Sequence, residues 1–224
     1  MRPFSAPRRR VLARSLTALG LLAAAPLTRS YAQQLLRTPA QTTGPFYPRS
    51  IPLDSDNDLV VVGGRTQIAE GQISNVFGRV LDEHGRPVQQ ARVEIWQCDA
   101  NGRYHHSRDN RNVPLDANFQ GYGRFITSAD GAYRFRTIKP VPYPGRAPHI
   151  HFKIAGPSIE PLTTQMYVAG APENAGDWIL NSIRDIRARD SVIVKFQAHD
   201  GTPRGELLAR FDIVLVADGR FGKG

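Results

Sequence analysis

From residue 76 to residue 216 the chain alternates short β-forming runs with clusters of turn residues, and few architectures accept such a pattern. The run 76–81 ends in Asp82-Glu83-His84-Gly85-Arg86-Pro87. Residues 88–98 resume extended chain, with Val93, Ile95 and Gln97 on one face and Glu94, Trp96 and Cys98 on the other. Asp99-Ala100-Asn101-Gly102 then turns, and Asp130-Gly131 does so again. Further strands are predicted over 123–127, 132–138, 149–155, 163–168, 192–198 and 207–216. Only 173–186 reads as a helix, with Trp178, Ile179, Ile183 and Ile186 near helical spacing. Segment 33–71, rich in breakers such as Thr42-Thr43-Gly44-Pro45-Phe46-Tyr47-Pro48, reads as an extended arm. The fold class expected is all-β: an antiparallel β-sandwich over 72–224 with at most one short helix.

Within that pattern, Pro148-His149-Ile150-His151-Phe152 carries chemistry. Successive side chains of a strand alternate faces, so His149 and His151 share one face while Ile150, Phe152 and Ile154 fill the core side. Two imidazoles so placed suit several transition metals. They equally suit a half-exposed strand with no metal at all.

The first thirty-two residues stand apart from the fold. Arg8-Arg9-Arg10 precedes an apolar run over 16–27, and Ser30-Tyr31-Ala32 offers small residues where a signal peptidase reads. This is an export signal pattern, and the adjacent arginines suggest the twin-arginine route to a periplasmic or secreted location. The formal charge of +9 is largely an effect of this segment: without it 23 basic residues face 20 acidic ones. Nucleic-acid binding, which wants a basic stripe in the mature domain, is not indicated. Cys98 is the only cysteine, which excludes an internal disulfide and a multi-cysteine zinc site. No stretch after residue 32 is apolar for long enough to predict stable membrane insertion.

Residues 76–138 by themselves resemble the small transthyretin-like or carboxypeptidase-regulatory β-sandwich modules of exported proteins, a reading that needs no catalysis. Further features point elsewhere. Tyr104 follows the Asn101-Gly102 turn, where a side chain at a strand end can face a cleft. Tyr143 sits between two prolines just ahead of His149. Arg146 and Gln165 lie nearby in sequence or on a later strand. Two phenols and two imidazoles with no carboxylate form a hard, strongly donating set suited to Fe(III), whereas zinc more usually takes His with Cys, Asp or Glu. A zinc or copper site using the two histidines alone remains an alternative.

Thr43-Gly44-Pro45-Phe46-Tyr47, Glu94-Ile95-Trp96-Gln97-Cys98-Asp99-Ala100-Asn101-Gly102-Arg103-Tyr104, Pro148-His149-Ile150-His151-Phe152 and Thr164-Gln165-Met166-Tyr167 together resemble the intradiol ring-cleavage dioxygenases of the protocatechuate/catechol dioxygenase superfamily. The resemblance implies a non-haem Fe(III) cofactor. It makes Tyr104, Tyr143, His149 and His151 the metal ligands, with Tyr104 and His149 equatorial and Tyr143 and His151 axial. It implies a small aromatic diol and O2 as the substrates and a cis,cis-muconate-type diacid as product. Catalytic roles fall on Tyr143 as a displaceable ligand and base, Arg146 as a cation for developing negative charge, and Gln165 as an orienting group. Only five residues separate Tyr143 from His149, fewer than in well-known members, which predicts an open site for larger or appended catechols. The helical N-terminal dimerisation extension of catechol 1,2-dioxygenases is not seen, and self-association into a homo-oligomer stays open.

Overall fold

Gly78 marks the place where three strands meet. The computed structural model describes residues 34–157, 159–198 and 205–216; the expected export signal lies outside them. β1 (Ile73–Asp82) is the central strand of the first sheet. Along one edge it pairs antiparallel with β4 (Ala132–Ile138). Along the other it takes β9 (Leu207–Arg210) opposite its first half and β10 (Ile213–Leu215) opposite its second, both parallel. Phe211 and Asp212 bridge that switch. The Phe211 amide donates to Phe77 O at 2.9 Å, so the two backbones run very close. A Cβ on Gly78 would stand 1.9 Å from Phe211 O.

The second sheet runs β3 (Tyr122–Ile126), β2 (Arg92–Trp96), β5 (His149–Ala155), β6 (Leu162–Val168) and β7 (Ile193–Val194). The chain crosses from β7 to β8 (Gln197–Ala198), which joins the first sheet beside β9. The sandwich expected from the sequence is present, and its sheets are mixed, since β1–β9, β1–β10 and β6–β7 are parallel pairs. Two predicted strands divide accordingly: 192–198 contributes to both sheets, and 207–216 breaks at Phe211-Asp212.

The helical segment also divides. A 3-10 turn (Pro172–Ala175), α1 (Trp178–Asn181) and α2 (Ile186–Ser191) replace one helix. Asp177 and Asp185 explain the breaks. Each has extended backbone and accepts hydrogen bonds from the amides that open the following helix, so each starts a new element. No described helix is long and apolar enough to cross a membrane.

Inward-facing residues of both sheets form the core. Val76, Val80 and Phe135 of the first sheet meet Val93, Ile95, Ile150, Phe152 and Ile154 of the second, with Phe211 edge-on to Phe152 at 5.2 Å. The Tyr133 hydroxyl is buried there and donates to Phe211 O. The opposite face of the second sheet is covered by residues 38–47 of the arm. Gln41 N donates to Thr163 O at 2.8 Å, and Thr164 Oγ1 donates to Pro39 O at 2.8 Å. The arm is also tied to the first sheet, through Thr38 N to Val214 O at 3.0 Å.

Gly78→Ala should lower stability by about 3 kcal/mol or more, because backbone, rather than a yielding side chain, occupies the space its methyl needs. Chemical denaturation measures this, and an unchanged midpoint would refute the close approach.

Candidate metal centre

Strand register builds the site. Opposite residues in antiparallel pairs share a face. Trp96 pairs with Tyr122 on β3 and with His151 on β5, and His151 pairs with Gln165 on β6. One row across four strands therefore reads Tyr122, Trp96, His151, Gln165, all on the face turned away from the core. His149 and Tyr167 form the next row. Trp96 lies flat on the His151 ring, with centroids 4.7 Å apart and planes within 5°. The arm closes this face: Phe46 stacks on Tyr104 at 4.5 Å, Tyr47 meets Trp96 edge-on, and the Gly44 backbone lies against His151.

His149 and His151 are both buried, and their Nε2 atoms stand 3.2 Å apart. His149 Nδ1 lies 2.6 Å from Ala147 O, so it carries the proton and Nε2 is left as an acceptor. His151 Nδ1 is buried without a partner. Burial, then the charge of Arg146, drives the His149 pKa down to about 3. Burial and the other histidine push His151 well below its usual range. Both rings are thus neutral, the form that ligates a metal.

Tyr104 follows the turn at Asp99, whose Oδ1 accepts from the amides of Asn101 and Arg103 at 2.9 Å each. It lies in a loop rather than in a strand. Its hydroxyl is buried and makes no well-aligned hydrogen bond, with the Tyr143 hydroxyl its near neighbour; burial, then Tyr143, raises its pKa well above the ordinary phenol value. Tyr143 opens a turn closed by Arg146 N to Tyr143 O at 2.9 Å. Pro144 and Gly145 (φ +79°) occupy the two central positions, the signature of a type II turn. The four expected ligands converge. Tyr143 lies 5.7 Å from Tyr104 and 5.5 Å from His149 between ring centroids, and Tyr104 lies 6.3 Å from His151.

The donor set tests whether a metal suits the place. Two imidazole nitrogens face one another, and a phenol oxygen beside them is buried without a well-aligned hydrogen bond. A cation between such groups satisfies all of them, so the residues fit a metal held by nitrogen and phenolate oxygen. No group of three or more His, Cys, Asp or Glu with metal-site geometry occurs among the described residues.

Arg146 and Gln165 lie beside this group of side chains. Arg146 Nη2 donates to Gln165 Oε1 at 2.5 Å, and Nη1 lies 3.4 Å from the Tyr143 hydroxyl. Gln165 Nε2 donates to Thr42 O at 3.0 Å. Three partners in this network have no distinct sequence signal of their own. Asp177, fully buried, accepts from Arg146 Nε at 2.9 Å and from the Ala147 amide at 2.8 Å while capping α1. Gln41 donates to the Tyr167 hydroxyl, which in turn donates to Gln165 Oε1, each at 3.0 Å. Tyr167 stood in the sequence only as the end of Thr164-Gln165-Met166-Tyr167, and strand alternation puts it on the face of Gln165.

A family model described as Dioxygenase matches residues 42–148 and 145–217. The β chain of protocatechuate 3,4-dioxygenase from Burkholderia cepacia is 44% identical over 173 residues, covering 73% of this chain and 72% of that one. The chain belongs to the intradiol ring-cleavage dioxygenases. Hydroxyquinol 1,2-dioxygenase from Corynebacterium glutamicum is 32% identical over 80% of this chain, and the match spans 64% of that longer enzyme. Among solved structures, the dioxygenase domain of a carbohydrate-binding fusion from Streptomyces sp. SirexAA-E superposes with a TM-score of 0.62 at 28% identity, covering 81% of this chain and 99% of that one. Membership in this dioxygenase family favours an enzyme over the accessory β-sandwich module.

Burial pushes the Asp177 carboxyl up, but the Leu180 and Ala147 amides and Arg146 outweigh it and hold its pKa below the ordinary 3.8. Its stabilising contribution is therefore whole above that value and is lost as pH falls through the lower folded one. Asp177→Ala should cost about 3 kcal/mol or more, since it strands a buried guanidinium and uncaps α1. The deficit should shrink below pH 4 in denaturation at a series of pH values; a pH-independent deficit would sink the assignment.

Proposed function

We propose that this protein is a non-haem Fe(III) intradiol dioxygenase, exported from the cytoplasm, that cleaves a catechol-type diol with O2 to a cis,cis-muconate-type diacid. The carbon–carbon bond between the two hydroxyl-bearing carbons is broken, and both oxygen atoms of O2 enter the product. The observation that carries the reading is the buried pair of neutral imidazoles, Nε2 to Nε2, beside the buried Tyr104 hydroxyl, which makes no well-aligned hydrogen bond.

Tyr104, Tyr143, His149 and His151 would hold the iron. Bound there, Fe(III) would supply Lewis-acid chemistry suited to a diolate. Tyr143, the ligand on the exposed turn, is the one placed to swing aside and take a substrate proton on its phenolic oxygen. Arg146 is held in place by Asp177 and is only 10% exposed in its side chain, so its charge is little screened. A pre-aimed cation of this kind stabilises charge that grows on the substrate during oxygen attack. Gln165, fixed by Arg146 and Thr42 O, orients the diolate. Pro144 and Gly145 are exposed, and nothing stands within 4 Å of a Cβ built on Gly145, which supports a substrate with a bulky ring substituent.

Anaerobic visible spectra of the purified mature protein, with and without catechol, test the reading. A broad tyrosinate-to-iron band that shifts with catechol is expected. His151→Ala should abolish iron binding, and Arg146→Ala should keep iron and colour while slowing ring cleavage about a hundredfold or more. A protein that stays colourless after iron reconstitution would overturn the proposal.

Export rests on the Arg8-Arg9-Arg10 cluster ahead of the apolar run. Replacing Arg8, Arg9 and Arg10 with lysine should trap the precursor in the cytoplasm; undiminished export would exclude the twin-arginine route.

A further inference from the structure

Tyr143 stands on a turn that cannot hold it by itself. Its neighbours Pro144 and Gly145 are exposed, so its own loop lays nothing over the outer side of the ring. Tyr104 touches it edge-on and meets its hydroxyl, His149 lies against its inner side, and Arg146 reaches only its hydroxyl. No backbone hydrogen bond among the described residues joins this turn to the loop that carries Tyr104. Arg111, from that second loop, places its guanidinium carbon 5.0 Å from the centroid of the Tyr143 ring. An arginine over a phenol ring is attracted by the negative charge of the ring face.

The guanidinium is itself fixed. Arg111 Nε donates to Asp109 Oδ1 at 2.8 Å, and Nη2 donates to Asp109 Oδ2, a two-pronged pairing that sets the plane of the group. The Asp109 carboxylate is fully buried, and its Oδ2 also accepts from the Tyr104 amide at 2.7 Å. One carboxylate thus grips the backbone of one phenol and the cation that covers the other.

We propose that Arg111 is a positioning residue for Tyr143. Through Asp109 it sets the resting position of the Tyr143 ring relative to Tyr104, in place of the roof that the short turn lacks. The metal-related part of this inference rests on the iron reading above; the placement of the ring does not. Lysine would retain the charge without the two-pronged hold, and so would restore the placement only in part.

The test pairs two readouts on Arg111→Met, Arg111→Lys and the double variant Asp109→Asn/Arg111→Met, in the full mature protein. The double variant removes the buried charge that Arg111→Met would leave unpaired, so it keeps the test decisive if the single variant does not fold. Crystal structures should show the Tyr143 ring displaced or in several positions in both methionine variants, with Tyr104 unmoved. In the iron-loaded protein the tyrosinate band should fall towards that of Tyr143→Phe at unchanged iron content, with Arg111→Lys in between. An unmoved ring together with an unaltered band overturns the proposal. If the parent protein proves colourless, the iron reading falls, and the position of the Tyr143 ring alone decides the role of Arg111.

Discussion

Everything at the site depends on the register between β2, β5 and β6. His151 is flanked by Trp96 and Gln165 because those residues are its opposite numbers in the two ladders. A slip of one residue would turn every outward side chain inward. His151 would enter the hydrocarbon core and Ile150 or Phe152 would face the arm. The core residues oppose such a slip, since Ile150, Phe152 and Ile154 are fully buried between the sheets. Hydrophobic burial on one face of β5 thereby holds the imidazoles in place on the other.

Charge is handled sparingly around that row. Arg146 and Asp177 form the buried ion pair next to the histidines, and buried Asp109 pairs with the partly exposed Arg111 beside the phenols. Each carboxylate has further partners: Asp177 takes three amides, those of Ala147, Ile179 and Leu180, and Asp109 takes that of Tyr104. Buried charges are tolerable when their remaining lone pairs are bonded in this way. Arg111 and its neighbours hold the Asp109 carboxyl down to about 2, so the anion persists despite its burial. Around them burial keeps the histidines neutral and the phenols protonated.

Alternation within a strand was the most legible feature. His149 and His151 on one face and Ile150, Phe152 and Ile154 on the other follow from local geometry alone, as does the split of Val93 and Ile95 from Trp96 and Cys98. The convergence of Tyr104 and Tyr143 came from resemblance, because nothing in their local sequence tells where two separate loops meet. Contacts made by loops were illegible for the same reason: Arg111 lies in an irregular segment, and its meeting with Tyr143 depends on tertiary placement. The helical region was misjudged in continuity. The apolar spacing of Trp178, Ile179, Ile183 and Ile186 looked like one helix, whereas Asp177 and Asp185 each restart the chain. Mixed pairing in the first sheet was equally hidden, since β1 accepts β9 and β10 only after the chain has crossed between the layers.

The placement of the chemistry on the outer face of a sheet has a bearing on how such a chain can change over generations. Residues at alternate positions of β5 answer to separate demands, one set to packing and the other to the polar face beneath the arm. A substitution on that outer face meets the arm and the loops, which lie outside the sandwich interior and yield more readily. New specificities are therefore open to trial there by point changes or by altered turn length at 143–146, while the inherited framework is left undisturbed.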